Sequence, residues 1–467
     1  MLAILRQVHA HWDVPALANQ PHVAEIRCVV MNTDSPYTVV AIDMGYGHLR
    51  PAHAVADALK VPVLEVDHAP LAKENDQRLW AYVRRYYEWA SRASQLKGVG
   101  WPIRNLLERA TEINELYSQR DQSKPTMGVR ILDKLIARGL GSGLVDYLRE
   151  RNATLVTTFF MPAIAADRLG YDKIFCIVTD SDINRVWAPL LPHRTKIQYL
   201  VPTQRTRRRL RAYGVPESQI HVTGFPLPDS LVGGVELTAV RANLAPRLVR
   251  LDPSGRFRED LKHAISQFLG PLPALTHDES VPLLTFAVGG AGAQVGLVRD
   301  FLPALSGLLL EGRLRLALVA GLRRQVADEL EECVRRAGLG DQLDPQGAIR
   351  ILYQPTFKEY LQEFNSLLAR TDILWTKPSE MTFFAGLGLP IIFSSPVGTH
   401  EQFNRRWARE EGAGLKQRDV KYAGEWLKDW LQDGTLASTA WNGFTRLPTF
   451  GLYQVLEQLS KSAAARE

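Results

Sequence analysis

The chain of 467 residues is 46% hydrophobic and 23% charged, a composition typical of folded globular domains that excludes extensive disorder. Its length is sufficient for two to four domains of about 100–200 residues each. Lys and Arg outnumber Asp and Glu to give a net charge of +6. This charge favours an anionic partner without choosing between nucleic acid, an acidic membrane and a phosphorylated substrate.

The sequence also indicates the cellular compartment of the protein. Its longest apolar runs are much shorter than the ~20 residues that a membrane-spanning helix requires, and Met1–Ala10 lacks the apolar core of a secretory signal. The three cysteines, Cys28, Cys176 and Cys333, are widely spaced and form no metal-ligand pair. So few cysteines are typical of a reducing compartment, and we expect a cytoplasmic protein, peripheral at the inner membrane face if its substrate is a lipid.

Short apolar runs alternate with helical patterns in both halves of the sequence. In the first half the runs are Tyr37–Asp43, Val61–Val66, Ala153–Thr158 and Lys173–Thr179. In the second half they are Leu283–Val288, Leu314–Val319, Ile349–Tyr353, Ile373–Thr376 and Pro390–Ser394. Because strands that alternate with helices form parallel βαβ units, the pattern predicts an α/β protein with two facing Rossmann-like, doubly wound domains and an interdomain cleft.

A segment rich in Pro, Gly and charge, Phe225–Thr276, interrupts this alternation. We therefore expect a first domain over residues 1–230, a junction over 231–280, and a second domain over 281–467 that ends in a C-terminal helix.

Aromatic and basic residues are concentrated in a helical insert predicted over residues 79–117. Rings and cations on one helix surface suit the interface of an anionic bilayer, and residues 80–104 are the predicted contact. An ordinary helical hairpin whose rings pack on the domain explains the same pattern. The insert contains Trp80, Tyr82, Tyr86, Tyr87, Trp89 and Trp101 among Arg84, Arg85, Arg92, Lys97 and Arg104.

A glycine-rich turn with Gly45, Gly47 and His48 stands between the first predicted strand and a helix predicted over Pro51–Leu59. Open α/β sheets bind ligands at the carboxyl ends of their strands. Glycines there let backbone N–H groups approach a phosphate or a sugar. A tight strand–helix turn needs glycine in any case, so the histidine carries the functional interpretation: it can move a proton or hydrogen-bond a substrate hydroxyl.

Two further groups of residues follow predicted strands of the second half. Gly289, Gly290 and Gly292 repeat the glycine-rich turn and suit a diphosphate, although a tight connection explains them equally well. The other group offers donors and acceptors for a nucleotide ribose and diphosphate, although Thr382 as a helix cap and Asn404 as an exposed residue are the simpler explanations. That group consists of Lys377, Ser379, Glu380, Thr382, His400, Glu401 and Asn404.

In this succession of motifs the chain resembles the GT-B glycosyltransferases of family 28, the group of monogalactosyldiacylglycerol synthase, bacterial diacylglycerol glucosyltransferases and MurG. The turn at Gly45–His48 is similar to their N-terminal glycine loop. Three further segments resemble the motifs of the lipid-glycosylating members and the donor-binding signature: Ile177–Asp180 with Trp187, then Val222–Pro226, and finally Lys377–Thr382 with Gly388–Pro390 and Glu401–Asn404.

The resemblance implies an inverting, metal-independent hexosyltransferase with the GT-B fold. Its first domain is expected to bind the acceptor, a hydroxyl compound such as the membrane lipid diacylglycerol, and its second the nucleotide sugar, a UDP-sugar first. No cofactor beyond that substrate is implied. His48 is the candidate base, with Asp180 as its partner or the alternative base, and Gly45, Gly47 and Asn184 belong to the acceptor side. Asp180 and Asp182 have the spacing of a metal-binding pair, but they lie in the acceptor domain.

Two positions depart from the family pattern. Asn184 stands where the lipid-glycosylating members usually have a histidine, and Ala385 stands where the donor motif has the acid that holds the ribose. Ser379 and Glu380 replace the glycines of that motif. Without the acid, the ribose hydroxyls lose their acceptor at a cost of about 1–3 kcal/mol, unless Glu380 substitutes for it or the donor is not a standard UDP-sugar.

Two other functions fit the same residues. A GT-B epimerase or hydrolase that acts on the sugar nucleotide needs no membrane contact, so vesicle binding counts against it. A non-catalytic nucleotide-binding member of the fold would bind the nucleotide without turnover. Nucleic-acid binding is not expected, because the basic run Arg205–Arg211 predicts one helix and no aromatic stacking platform accompanies it.

Overall fold

The computed structural model describes residues 35–43, 45–81, 113–116, 121–287, 295–396 and 398–464. These residues form two compact units. Unit 1 contains the described residues up to Asp229 together with 398–404 and 448–464, and unit 2 contains those within 230–396 and 405–447.

Unit 1 is built on a six-stranded parallel sheet in the order β2-β1-β3-β4-β5-β6. The chain leaves β1 on one side to form β2 and on the other to form β3, so the sheet has its topological switch point between β1 and β3. Val40 and Thr157 are register partners there. The strands are β1 Tyr37–Ala41, β2 Val63–Glu65, β3 Thr154–Thr157, β4 Ile174–Ile177, β5 Gln198–Val201 and β6 Ile220–Val222.

Helices connect these strands, as a doubly wound sheet requires. Buried aliphatic and aromatic side chains fill the space between sheet and helices, and β4 is buried along its whole length. The helices of this part of the chain are α1 Tyr46–Leu59, α2 Met127–Ala137, α3 Ser142–Arg151, α4 Phe160–Arg168, α5 Gln204–Ala212 and α6 Asp229–Val232.

Unit 2 contains a second six-stranded parallel sheet in the order β12-β11-β10-β7-β8-β9. Numbered from its own first strand, this is the order of the dinucleotide-binding fold, with the switch point between β7 and β10. Ala287 and Thr376 are register partners at that point. The strands are β7 Leu283–Ala287, β8 Arg315–Gly321, β9 Ile349–Tyr353, β10 Ile373–Thr376, β11 Ile391–Phe393 and β12 Gly414–Lys416.

The remaining helices follow in chain order. They are α7 Thr238–Leu251, α8 Arg256–Asp260, α9 Lys262–Leu269, α10 Val295–Leu310, α11 Arg324–Arg336, α12 Phe357–Arg370, α13 Thr399–Glu410, α14 Ala423–Gln432, α15 Thr435–Arg446 and α16 Gly451–Ala464. The prediction of two doubly wound α/β domains is confirmed by the two parallel sheets. Among the described residues, no helix is both long enough and apolar enough to cross a membrane.

The segment expected as a junction is helical and belongs to unit 2. Within it, α7 places Arg247 in the interior, 2% exposed. Its guanidinium donates hydrogen bonds to the carbonyl oxygens of Thr371, Leu387 and Gly388 at 2.9–3.0 Å. Burial lowers the pKa of Arg247 to about 10. A helix held by three buried hydrogen bonds is a part of the domain rather than a linker.

The C-terminal helix α16 lies in unit 1, whereas the sequence placed it with the second domain. The Tyr37 hydroxyl donates a hydrogen bond to the Leu459 carbonyl oxygen at 3.1 Å. The turn before α16 crosses Gly224, whose φ of +86° favours glycine. At Gly451 a Cβ would lie 2.0 Å from the Phe225 carbonyl oxygen, so this close approach requires glycine.

We therefore expect Gly451→Ala to destabilise unit 1, because the added methyl group must displace backbone. Forced overpacking costs about 1–3 kcal/mol, which chemical denaturation will measure. The matched control is Gly296→Ala in α10, where a Cβ meets nothing within 4 Å and better helix propensity should leave stability equal or higher. Equal stability of both variants would refute the close approach.

Most of the insert expected to contact a membrane, residues 82–112 and 117–120, lies outside the described residues. Trp80 is described, and it is wholly buried in the core of unit 1. Its prediction as a membrane-contacting residue is therefore wrong, because a ring inside the core cannot reach lipid.

Candidate functional site

Both candidate clusters lie at the carboxyl edges of the two sheets, at their switch points. In unit 1, His48 follows β1 and Thr158 follows the adjacent β3. In unit 2, Lys377 follows β10, and the neighbouring β7 ends at Ala287. The glycine-rich turn that continues from Ala287, with Gly289, Gly290 and Gly292, lies outside the described residues.

The first glycine turn sets the start of α1. Gly45 precedes the helix with φ 119° and ψ 161°, a conformation that is essentially restricted to glycine. The helix begins at Tyr46, earlier than the predicted start, so Gly47 and His48 lie in its first turn. A Cβ on Gly45 would meet nothing within 4 Å, so backbone conformation rather than crowding requires this glycine.

The imidazole of His48 is held by the residues that follow β3 and β4. Its Nδ1 lies 2.9 Å from the Thr158 carbonyl oxygen and 3.3 Å from Thr179 Oγ1. A carbonyl oxygen only accepts hydrogen bonds, so Nδ1 carries the proton and the lone pair of the neutral ring lies on Nε2. Thr158 Oγ1 also donates to the His48 carbonyl oxygen at 2.7 Å, which fixes the backbone beneath the ring.

Aromatic side chains surround the same imidazole. The His48 and Phe159 ring centroids are 4.7 Å apart with an edge-to-face geometry, and Trp187 lies 6.4 Å away. Phe160 packs on Trp187 at 5.3 Å. These ring contacts limit the motion of the imidazole.

Asp180 and Ser181, which follow β4, are held by Asn404 of α13. The Asn404 side chain donates from Nδ2 to Asp180 Oδ1 at 2.9 Å and accepts at Oδ1 from the Ser181 backbone N–H at 2.8 Å. Only one orientation of the amide satisfies both partners. Asn404 is fully buried, and these two bonds place it in unit 1 beside the candidate acceptor loop. The expectation of an exposed side chain is wrong, and its predicted donor contact stays a prediction.

Asp182, two residues further, is tied to the basic helix α5. Arg209 forms a bidentate pair with Asp182 at 2.7 and 2.9 Å, and Arg205 Nε donates to the same carboxylate at 2.8 Å. The Arg209–Asp182 pair is fully buried. Burial lowers the pKa of Arg209, but the hydrogen bonds and charge of Asp182 outweigh it and raise the pKa overall. With its oxygens engaged by two arginines, Asp182 is not disposed to bind a metal ion with Asp180.

Two polar atoms in the loop after β4 are buried and unsatisfied. Within the described part of the chain, Ser181 Oγ and Asn184 Oδ1 have no hydrogen-bond partner. Buried polar atoms are nearly always paired in native proteins, so each exception calls for a ligand or water. Asn184, the position where the resembling enzymes have a histidine, therefore presents a hydrogen-bond acceptor.

The donor-side residues of unit 2 form a tight turn and a 3₁₀ helix, Glu380–Leu387. The Ser379 N–H donates to the Lys377 carbonyl oxygen at 2.8 Å, and the Thr382 N–H donates to the Ser379 carbonyl oxygen at 3.0 Å. In the described chain, Ser379 Oγ and Thr382 Oγ1 are buried without a hydrogen-bond partner. Thr382 lies inside the 3₁₀ helix, whose N-cap residue is Ser379, and it is wholly buried. Its interpretation as a helix cap is therefore wrong.

Ala385, which stands where the donor motif has an acid, is tightly packed. Ala385 is wholly buried, and a Cβ on Gly443 of α15 would lie 2.2 Å from the Ala385 carbonyl oxygen. Glu380 is the carboxylate within the same 3₁₀ helix, 5% exposed.

His400 is exposed and Glu401 is buried in the first turn of α13. This part of α13 belongs to unit 1.

One group of metal-ligand type occurs in the described part of unit 1. Glu65, Asp67 and His68 bring one ligand atom each within 4.8 Å of one another. His68 Nδ1 lies 3.0 Å from both carboxylates, so the three side chains already form an ion-pair network when the imidazole is protonated. The group begins at the last residue of the edge strand β2 and is not part of the switch point.

Sequence reasoning did not find Thr158, Thr179 or Arg209 as parts of the site. Thr158 and His48 are 110 residues apart, and no local motif signals that the two meet. The basic run of α5 was visible as a helix, but not its role in binding a buried carboxylate.

The family model that matches, covering residues 276–459, is described as a domain of unknown function, DUF6938. No curated protein matches the sequence.

Several solved structures are similar at low identity. The UDP-GlcNAc 2-epimerase from Neisseria meningitidis bound to UDP-GlcNAc has a TM-score of 0.48 at 12% identity, over 92% of this chain and 100% of that one. MurG from Acinetobacter baumannii has a TM-score of 0.47 at 15% identity, over 91% and 99%. The glycosyltransferase SnogD from Streptomyces nogalater has a TM-score of 0.42 at 13% identity, over 93% and 100%. The likeness concerns the fold and assigns neither a substrate nor a reaction.

Proposed function

We propose that the protein is a glycosyltransferase that transfers a sugar from a nucleotide sugar, a UDP-sugar first, to an acceptor hydroxyl. The observation that carries the proposal is the geometry of His48. Its Nδ1–H is donated to the Thr158 carbonyl oxygen, so Nε2 offers the lone pair that a general base needs. The imidazole stands at the switch point of the unit 1 sheet, where α/β folds bind ligands.

In this proposal each unit has its own task. Unit 2 binds the nucleotide at its switch point, where the hydroxyls of Ser379 and Thr382 supply hydrogen bonds that the protein itself does not use. Glu380 is the proposed substitute for the acid replaced by Ala385. Glycine turns and helix N-termini stabilise the negative charge that develops on the leaving diphosphate.

Unit 1 binds the acceptor. His48 removes the proton of the acceptor hydroxyl, Asp180 serves as its partner or as the alternative base, and Asn404 holds Asp180 in place. A single displacement at the anomeric carbon inverts its configuration. The finer part of the proposal is a lipid acceptor, diacylglycerol being the model, at the cytoplasmic face of a membrane.

The first experiment is calorimetry of the purified protein with UDP, GDP, dTDP and their sugars. We expect one nucleoside diphosphate to bind tightly, and we expect Thr382→Val to weaken that binding roughly 2- to 10-fold, since one hydrogen bond contributes roughly 0.5–1.5 kcal/mol. Without nucleotide, the same variant should be as stable as the wild type or more stable, because the buried hydroxyl that it removes has no partner.

The opposite pattern counts against the proposal. If Thr382→Val destabilises the free protein and leaves nucleotide affinity unchanged, the hydroxyl serves the fold. If no nucleotide binds, the proposed glycosyltransferase function is wrong. Binding without turnover over a panel of acceptors favours a non-catalytic nucleotide-binding protein, and conversion of the free sugar nucleotide favours an epimerase or hydrolase.

A further inference from the structure

Helix α2 has two faces of different character, and the proposed reaction uses neither. Val129, Leu132 and Ile136 are buried against unit 1. On the opposite side, Met127 is 76% exposed and Ile131 is 49% exposed. These two side chains are four residues apart and therefore stand together on one face of the helix. Large apolar side chains grouped on a surface are a sign of an interaction site.

Cations continue the same exposed stripe. Arg130, Lys134 and Arg138 are all exposed, and their spacing from Met127 places them on that face. In the part of the chain that the structure describes, none of the three forms an ion pair. The one acid of the helix, Asp133, is engaged by Arg168 at 2.9 Å. Among the described residues, therefore, no acid neutralises the positive charge of this stripe.

We propose that this stripe, the α2 surface, docks on an anionic lipid bilayer. Met127 and Ile131 would enter the headgroup region while the three cations meet lipid phosphates, which is how an interfacial amphipathic helix binds. Charge complementarity selects the occupant, since the apolar pair is flanked by cations that form no ion pair with the residues that the structure describes. The surface replaces Trp80, which the fold buries, as the membrane contact of unit 1.

This inference rests on the proposed function only for its purpose, which is to bring the protein to a lipid acceptor. It can be tested without nucleotide or turnover. If no nucleotide binds, the proposed transferase function is wrong but the α2 surface can still dock on a bilayer. If vesicles do not bind, only the proposal for the α2 surface is wrong.

The experiment is co-sedimentation of the full chain with vesicles of phosphatidylcholine, with or without phosphatidylglycerol. We expect binding only to the anionic vesicles, weakened by salt. The double variant Arg130→Gln/Lys134→Gln should bind more weakly, by roughly fivefold for each charge removed. Met127→Ser/Ile131→Ser should also bind more weakly.

Matched controls come from unit 2. Leu310→Ser removes an apolar side chain that is 62% exposed, and Arg324→Gln removes an exposed arginine that is paired with Asp328. Both should bind like the wild type. Circular dichroism and thermal melting verify that every variant is folded.

Two results overturn the inference. One is a negative vesicle result: either the protein does not bind anionic vesicles, or the α2 variants bind them as well as the wild type does. In the latter case the contact lies in another part of the chain. The other is a change of oligomeric state in the Met127→Ser/Ile131→Ser variant, seen by light scattering without lipid, which assigns the face to a second copy of the protein.

Discussion

Replacing His48 by alanine is expected to lower turnover by about 10²–10⁴-fold, the usual contribution of a general base, while nucleotide affinity stays near the wild-type value. The reason is the tautomer: Nδ1–H is donated to the Thr158 carbonyl oxygen, so the lone pair that takes the proton of the acceptor hydroxyl is on Nε2. Single-turnover rates with saturating nucleotide sugar measure the chemical step, and calorimetry measures the affinity.

Two further variants separate catalysis from positioning. His48→Asn places an amide N–H where Nδ1 donates, so it preserves the bond to Thr158 but has no counterpart of Nε2. It should be as slow as His48→Ala and melt like the wild type. His53→Gln, on the same helix, is the control and should turn over normally; burial lowers the pKa of His53. Wild-type rates in His48→Asn would show that the imidazole positions α1 and moves no proton.

Arg209→Met is expected to lower the free energy of unfolding by about 3–5 kcal/mol, because it leaves the buried carboxylate of Asp182 without its bidentate partner. Arg205 and the Ile183 N–H remain bound to Asp182, but they do not replace the lost charge-assisted pair. Chemical denaturation followed by circular dichroism measures the loss.

The control lies on the same helix. Arg211 pairs with Glu217 at 2.8 Å, but its side chain is 59% exposed, so Arg211→Met should cost only about 0–1 kcal/mol. The double variant Arg209→Met/Asp182→Asn should recover part of the stability, since residue 182, which is fully buried, then carries no charge. If Arg209→Met and Arg211→Met cost the same, the buried pair contributes nothing beyond a surface pair.

The Arg209–Asp182 pair also bears on the site. Asp182 lies two residues after Asp180 and two before Asn184, so the arginines hold one side of the loop while Asn404 holds the other through Asp180 and Ser181. A loop that is fixed from both sides presents Asp180 and the unsatisfied atoms of Ser181 and Asn184 in one arrangement. This pre-organisation is what binding of a polar acceptor requires.

The strands that could be predicted are those with an unbroken apolar run. β4 and β10 are buried at every position, and such runs identify strands of a parallel sheet. β5, β6 and β12 were missed because they are short and contain polar residues. His221 Nε2 of β6 lies within hydrogen-bond distance of Gln198 Oε1 of β5, at 2.7 Å. This hydrogen bond exists only when the two strands are neighbours.

The candidate site divides in the same way. The glycines and the histidine of the first turn were recognisable, because the backbone at Gly45 is a local requirement of the strand–helix connection. The burial of Trp80 was not, because a helix of rings and cations has the same pattern whether it faces lipid or the core. The unsatisfied hydroxyl of Thr382 was equally invisible, since partners for a hydroxyl can come from any part of the chain.

The sequence by itself determined the alternation of strands and helices, the two parallel sheets and the residues that follow their strands, since these depend on the polarity and backbone preferences of near neighbours. Only the tertiary structure decided that Thr158 orients His48, that Asn404 binds Asp180 from 224 residues away, and that α16 returns to unit 1 through Gly451. Such contacts join distant segments that the sheets bring together, and the strength of each depends on burial that no local pattern encodes.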